Sequence, residues 1–144
     1  MIIRKYVSND VDNMMDVWKK SSKIAHSFLP EEHFISEEKE IRNVFLPVSD
    51  TRVAEINGKI VGFISMVDNS IGGLFIDPAH QRKGIGTALV NVFLDKFDAL
   101  EVEVFEKNMQ GRKFYEKTGF VIKDTSIEES TKEVSLNLLL KTKL

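Results

Sequence analysis

The chain has 144 residues, 42% hydrophobic and 29% charged, with no cysteine and a formal net charge of −2. That is the length and composition of one globular domain able to bury its own core; the missing cysteine excludes a disulfide, a thiolate nucleophile and a cysteine-based zinc site. The near-neutral charge gives no footprint for nucleic acid, and no apolar run reaches the roughly 18–20 residues that span a bilayer.

Met1-Ile2-Ile3-Arg4-Lys5-Tyr6 is broken by two bases where a signal peptide needs an apolar stretch, so it reads as a first strand, over Ile2 to Val7. The expectation is a soluble cytoplasmic protein forming one domain over residues 1–144. Ser8-Asn9-Asp10 offers residues favoured at helix N-caps. Val11, Met14, Met15 and Trp18 follow at the spacing of one helical face, which predicts a helix ending near Ser21-Ser22. Pro30 suits the first position of a second helix, Glu31 and Glu32 suit its positive end, and Pro47 should stop it.

Thr51 to Ile56 is β-branched and apolar, and Asn57-Gly58 tolerates the positive φ of a type I′ hairpin turn. Lys59 to Val67 is apolar on both faces, as a central strand is. Asp68-Asn69 is a second turn, and Ser70 to Ile76 a strand in which Gly72-Gly73 marks a bulge or a close approach. A glycine loop and a helix carrying Leu89, Val92, Phe93 and Phe97 come next. Leu100 to Phe105 alternates, with Val102 and Val104 on one side and Glu101 and Glu103 on the other. A short helix over Met109 to Thr118 ends at Gly119. Two strands, Phe120 to Thr125 and Glu133 to Leu140, close the order β-α-α-β-β-β-α-β-α-β-β, an α/β class with a mixed sheet and helices on both faces.

The loop Gln81-Arg82-Lys83-Gly84-Ile85-Gly86-Thr87 carries the chemistry. Gly84 and Gly86 permit a tight turn and a close backbone approach. The following helix N-terminus favours an anion, and Arg82 and Lys83 add charge for a phosphate. A P-loop is excluded because Gly-Lys-Ser/Thr is missing. A dinucleotide fingerprint is poor because Leu89 stands where its third glycine or alanine belongs. A plain glycine turn with solvated bases is the alternative.

Gln81-x-x-Gly84-x-Gly86 resembles the signature loop of the GNAT family of N-acetyltransferases, and the element order is similar too. Leu74-Phe75-Ile76-Asp77-Pro78 resembles the family's fourth strand and its exit. Glu103-x-x-x-x-Asn108 and Phe114-Tyr115-Glu116-Lys117-Thr118-Gly119-Phe120 resemble the fifth strand and the segment after it.

The resemblance implies a sheet whose central strands splay to admit acetyl-CoA. Leu74, Phe75 and Ile76 would bind the pantetheine arm through their backbone, with a bulge turning an amide toward the thioester oxygen. Gln81, Arg82, Lys83, Gly84, Ile85, Gly86 and Thr87 would hold the pyrophosphate, and Asn108 the arm. Tyr115 would be the general acid toward the departing sulfur, or an aromatic packed beside Phe114. Glu103 would be a general base acting through water, or a solvated strand glutamate. Trp18, Ser22, His26 and Phe28 would line the acceptor pocket, although Trp18 also fits a core stripe and His26 a helix end.

The expected reaction is attack of a primary amine, on a small molecule or a peptide, at the acetyl thioester in a ternary complex. The alternatives are a non-catalytic acyl-CoA sensor and an interaction domain. His26, His33 and His80 have no metal-ligand spacing, so no metal is expected. Neither a nucleic-acid nor a membrane partner is expected, and a monomer or a homodimer is.

Overall fold

A computed structural model describes residues 1–143. Strands β1 (Ile2–Lys5), β2 (Asp50–Ile56), β3 (Lys59–Val67), β4 (Ser70–Ile76), β5 (Ala99–Phe105), β6 (Val121–Ile127) and β7 (Val134–Lys141) form one sheet in the order β1-β2-β3-β4-β5-β7-β6. Helices α1 (Val11–Ala25), α2 (Glu31–Glu40) and α3 (Leu46–Val48) precede β2; α4 (Ile85–Leu94) and α5 (Met109–Thr118) flank β5. The element order is the one expected from the sequence, apart from the short α3.

Asn57 and Gly58 both have positive φ, 51° and 79°, as a type I′ turn requires. The β3 interior is buried residue after residue from Ile60 to Ile64. α1 runs past Ser21-Ser22 to Ala25. Its serines do not break it because the Ser21 hydroxyl donates back to the Val17 carbonyl at 2.9 Å. Pro47 does not stop the second helix cleanly either. Lacking an N–H, it cannot close a turn, and the chain widens upstream into a π turn over Ile41–Phe45, where the Leu46 N–H reaches Ile41 O, before running on to Val48.

The sheet separates two cores. Met14, Met15, Trp18 and Phe34 of α1 and α2 pack on Val53 and Phe63. Leu89 and Phe93 of α4 and Tyr115 of α5 pack on the opposite face against Leu100, Val102, Val104, Leu136 and Leu138. Arg4 ties β1 to the start of α1 and to β2, meeting Asp10 at 2.8 Å and Glu55 at 3.1 Å.

One junction differs from the rest. β4 and β5 are the parallel pair, and they match only at Ser70↔Glu101 and Ile71↔Val102. Beyond that they part, for two local reasons. Opposite β3, Met66 pairs with Ile71 and Ser65 with Gly73, which leaves Gly72 as an extra residue, and such a bulge bends its strand and increases its twist. β5 cannot follow, because every residue from Ala99 to Phe105 is paired with β7.

Candidate active site

The loop leading into α4 ends at a helix N-terminus, where an anion is favoured. Asp77 accepts a hydrogen bond from the Ala79 N–H at 3.0 Å and starts a short turn. Arg82 has φ +64° and Gly84 φ +78°. The first bond of the helix runs from the Ala88 N–H to Gly84 O at 3.0 Å, so the amides of Ile85, Gly86 and Thr87 have no intrahelical acceptor. Arg82 and Lys83 are exposed. The two glycines serve different ends. A Cβ on Gly84 would meet nothing, so it is the left-handed backbone that needs glycine there; a Cβ on Gly86 would lie 3.0 Å from Phe114 Cε1. Gly86 thus lets Phe114 of α5 close on α4. Gln81 ties the loop down: its Nε2 donates to Ile76 O at 3.3 Å, and its Oε1 accepts from Gln110 of α5.

The gap between β4 and β5 opens beside this loop. Leu74, Phe75 and Ile76 are only half-buried although they lie mid-sheet, because β5 has left their edge. Asn108 stands at the N-cap of α5, its Oδ1 accepting from the Gly111 N–H at 2.9 Å. Its Nδ2 faces His26 Nε2 at 3.4 Å, and His26 Nδ1 lies 3.2 Å from Ser22 Oγ. Phe105 and Phe28 wall the imidazole, with ring centroids at 5.0 and 6.1 Å.

Tyr115 and Glu103 lie on opposite faces of the sheet. Tyr115 is in the α4/α5 core, edge-on to Phe114 and Phe120 at 5.2 and 5.3 Å. Burial pushes its phenol well above the usual tyrosine range. Glu103 is exposed on the α1/α2 side and lines a cleft of about 560 Å³ with Glu101, Phe105, Asp124 and Asn137.

A family model for the acetyltransferase (GNAT) domain matches residues 44–122. The peptidyl-lysine N-acetyltransferase YjaB of Salmonella typhimurium is 31% identical over 83% of both chains. The chain belongs to the GNAT family. It is an acetyl-CoA-dependent acyltransferase. Among solved structures, apo YjaB from Escherichia coli superposes with a TM-score of 0.85 at 30% identity, covering 96% of this chain and 97% of its own. The PaiA N-acetyltransferase of Thermoplasma acidophilum, solved with coenzyme A, has a TM-score of 0.80 at 22% identity over 97% and 98%; at that identity the likeness is one of fold.

Two of the residues expected to line the acceptor pocket are buried in the GNAT domain. Trp18 is 0% exposed and Ser22 1%. Trp18 sits on the inward stripe of α1 and packs on Phe34, and the Ser22 hydroxyl is turned to His26. His26 and Phe28 remain half-buried at the end of α1. Sequence reasoning missed the contact between His26 and Asn108, which are 82 positions apart and carry no local signal. It also passed over Phe105, whose alternation with Val104 already places it on the Glu103 face.

Burial lowers the His26 pKa from 6.5 to about 4, and the charge of His33 adds a smaller push the same way. The unfolded chain therefore takes this proton near pH 6.5 while the folded chain refuses it until about pH 4. Stability is complete above that window and drains as pH falls through it, at about 1.4 kcal/mol per unit from this one group. Between pH 7 and 4.5 the wild type should lose about 2–3 kcal/mol more in urea titrations than His26→Gln. Equal losses would mean that the imidazole is not held neutral.

Proposed function

We propose that this GNAT enzyme acetylates the ε-amine of a lysine in a peptide or protein, by direct attack on acetyl-CoA in a ternary complex. Two things favour that acceptor over a small amine. The YjaB relative is named for peptidyl-lysine, and the cleft beside the gap is open and carries Glu103 and Asp124 beside the Lys123–Glu101 ion pair, a net acidic lining that suits a cation on a chain. The single observation that carries the mechanism is the two-rung junction between β4 and β5. It leaves one slot, with a phosphate cradle at one end and a polar cleft on one face.

In this reading Leu74, Phe75 and Ile76 present backbone donors and acceptors to the pantetheine arm as a neighbouring strand would. Asn108 adds a side-chain donor. Gln81 to Thr87 take the pyrophosphate on the free amides of α4 and on Arg82 and Lys83. The bulge at Gly72 releases a β4 amide toward the thioester oxygen, where negative charge collects as the amine nitrogen bonds to the carbonyl carbon. Glu103 receives the amine proton through water from the cleft side. The C–S bond then breaks, and Tyr115, from the opposite face, donates a hydrogen bond to the departing sulfur. A phenol with a raised pKa is a poor proton source but stays protonated, so donation without full transfer is the role that suits it.

The test combines binding and turnover. Acetyl-CoA at about 100 times its Kd should stabilise the protein by about 2.7 kcal/mol and raise Tm by several degrees. Thiol release should then follow addition of lysine peptides and exceed that with polyamines or aminoglycosides at equal amine concentration. A thermal shift without thiol release would mean a sensor, and equal turnover of every small amine would remove the peptide acceptor.

A further inference from the structure

Sequence reasoning sets His26 in the acceptor pocket, yet both of its nitrogens are engaged elsewhere. The Gly111 N–H can only donate, so the Asn108 atom it meets at 2.9 Å is the amide oxygen. The other terminal atom of Asn108 is therefore the NH2, which can only donate. Its partner at 3.4 Å, His26 Nε2, must accept. That fixes the tautomer: Nδ1 carries the hydrogen and gives it to Ser22 Oγ at 3.2 Å. The ring is neutral in this state, so it keeps the lone pair that Asn108 needs.

Asn108 is confined from the other side as well. A Cβ on Gly111 would lie 2.6 Å from Nδ2 and 3.0 Å from Cγ, so the amide is packed down onto a residue whose side chain is missing. One terminal atom is held by α5 and the other by the end of α1. An amide NH2 has two hydrogens. With one directed to His26, the second is set in a fixed direction, with no acceptor for it among the described residues.

We propose that His26 is a positioning residue for the cofactor arm: it holds the Asn108 amide so that its second N–H meets an amide carbonyl of pantetheine, and it takes no part in binding the amine. Ser22 fixes the tautomer, and Phe28 and Phe105 fix the plane of the ring. The inference rests on the reading above that Asn108 contacts the arm. It places the end of α1, which sequence alone assigned to the acceptor, on the cofactor side of the slot.

The test is a two-residue cycle read by acetyl-CoA affinity in calorimetry and by separate kcat and KM values. Asn108→Ser keeps a good N-cap but removes the NH2. It should weaken acetyl-CoA binding roughly three- to ten-fold, the worth of one hydrogen bond. His26→Leu should weaken it to a similar degree, with kcat and the acceptor KM unchanged, and should add nothing in the Asn108→Ser background. His26→Gln, whose side-chain oxygen can accept the same bond, should restore most of the affinity. Gly111→Ala approaches from the other side, forces the amide to turn, and should cause the same selective loss even if His26→Leu fails to fold.

If Asn108→Ser weakens binding but His26→Leu and Gly111→Ala do not, the positioning role is wrong and the Asn108 contact survives. If Asn108→Ser binds acetyl-CoA as the wild type does, the contact itself is wrong and the proposal falls with it. A loss confined to kcat or to the acceptor KM in His26→Leu would return His26 to the amine side and overturn the proposal.

Discussion

Tyr115→Phe should lower kcat about ten- to a hundred-fold while leaving acetyl-CoA affinity and thermal stability close to those of the wild type. The size follows from the role. A hydrogen bond to a developing thiolate is charge-assisted and contributes about 1.5–3 kcal/mol. Full proton transfer by a matched general acid would contribute as much as about 10⁴-fold, but burial has moved the phenol away from that match. Stability should not suffer because the hydroxyl has no hydrogen-bond partner among the described residues and Tyr115 is 7% exposed; removing an unpaired polar group from such a place costs little. Pre-steady-state thiol release at saturating acetyl-CoA measures the step directly. An unchanged rate would leave Tyr115 as a packing residue only, and a fall in Tm of several degrees would mean that the hydroxyl is structurally bonded.

Trp18→Ala should behave in the opposite way, as a stability variant. Trp18 is wholly buried in the core beneath α1 and α2 with Met14, Met15, Phe34 and Phe63. Truncating an aromatic in such a place costs about 3–5 kcal/mol. For a domain of this size that corresponds to roughly 10–20 °C in Tm. Below the new transition the variant should keep its KM for the amine, since the indole touches the core and not the cleft. A melt within about 2 °C of the wild type, together with a raised amine KM, would put Trp18 back in the acceptor pocket.

These two variants mark what the sequence could and could not convey. The left-handed turn at Gly84, the alternation of Leu100 to Phe105 and the Asn57-Gly58 turn are local patterns, and each forms its element for the local reason that made it legible. The helix ends were misjudged where a compensating bond was invisible in the string: Ser21 turns its hydroxyl back on the helix, and the chain widens before Pro47. Acceptor residues were the least legible, because one helix carries both an inward stripe with Trp18 and a terminal turn with His26. Spacing alone assigns neither to its neighbour across the gap. Gly86 shows the same limit in reverse, since its reason lies in Phe114, 28 positions away.

The two-rung junction has a consequence for the protein's company as well as for its chemistry. A strand with bare hydrogen-bonding groups invites other chains to pair with it. One outer border of this sheet, β6, is exposed throughout, but it carries Lys123 and Asp124 and is kinked by a bulge at Lys123, devices that discourage such pairing. The bare border of β4 is protected differently. It faces inward, across the gap that opens beyond the two rungs shared with β5. The bare groups of β4 thus lie within the sheet, between β3 and β5, and not on a border where another chain could extend it.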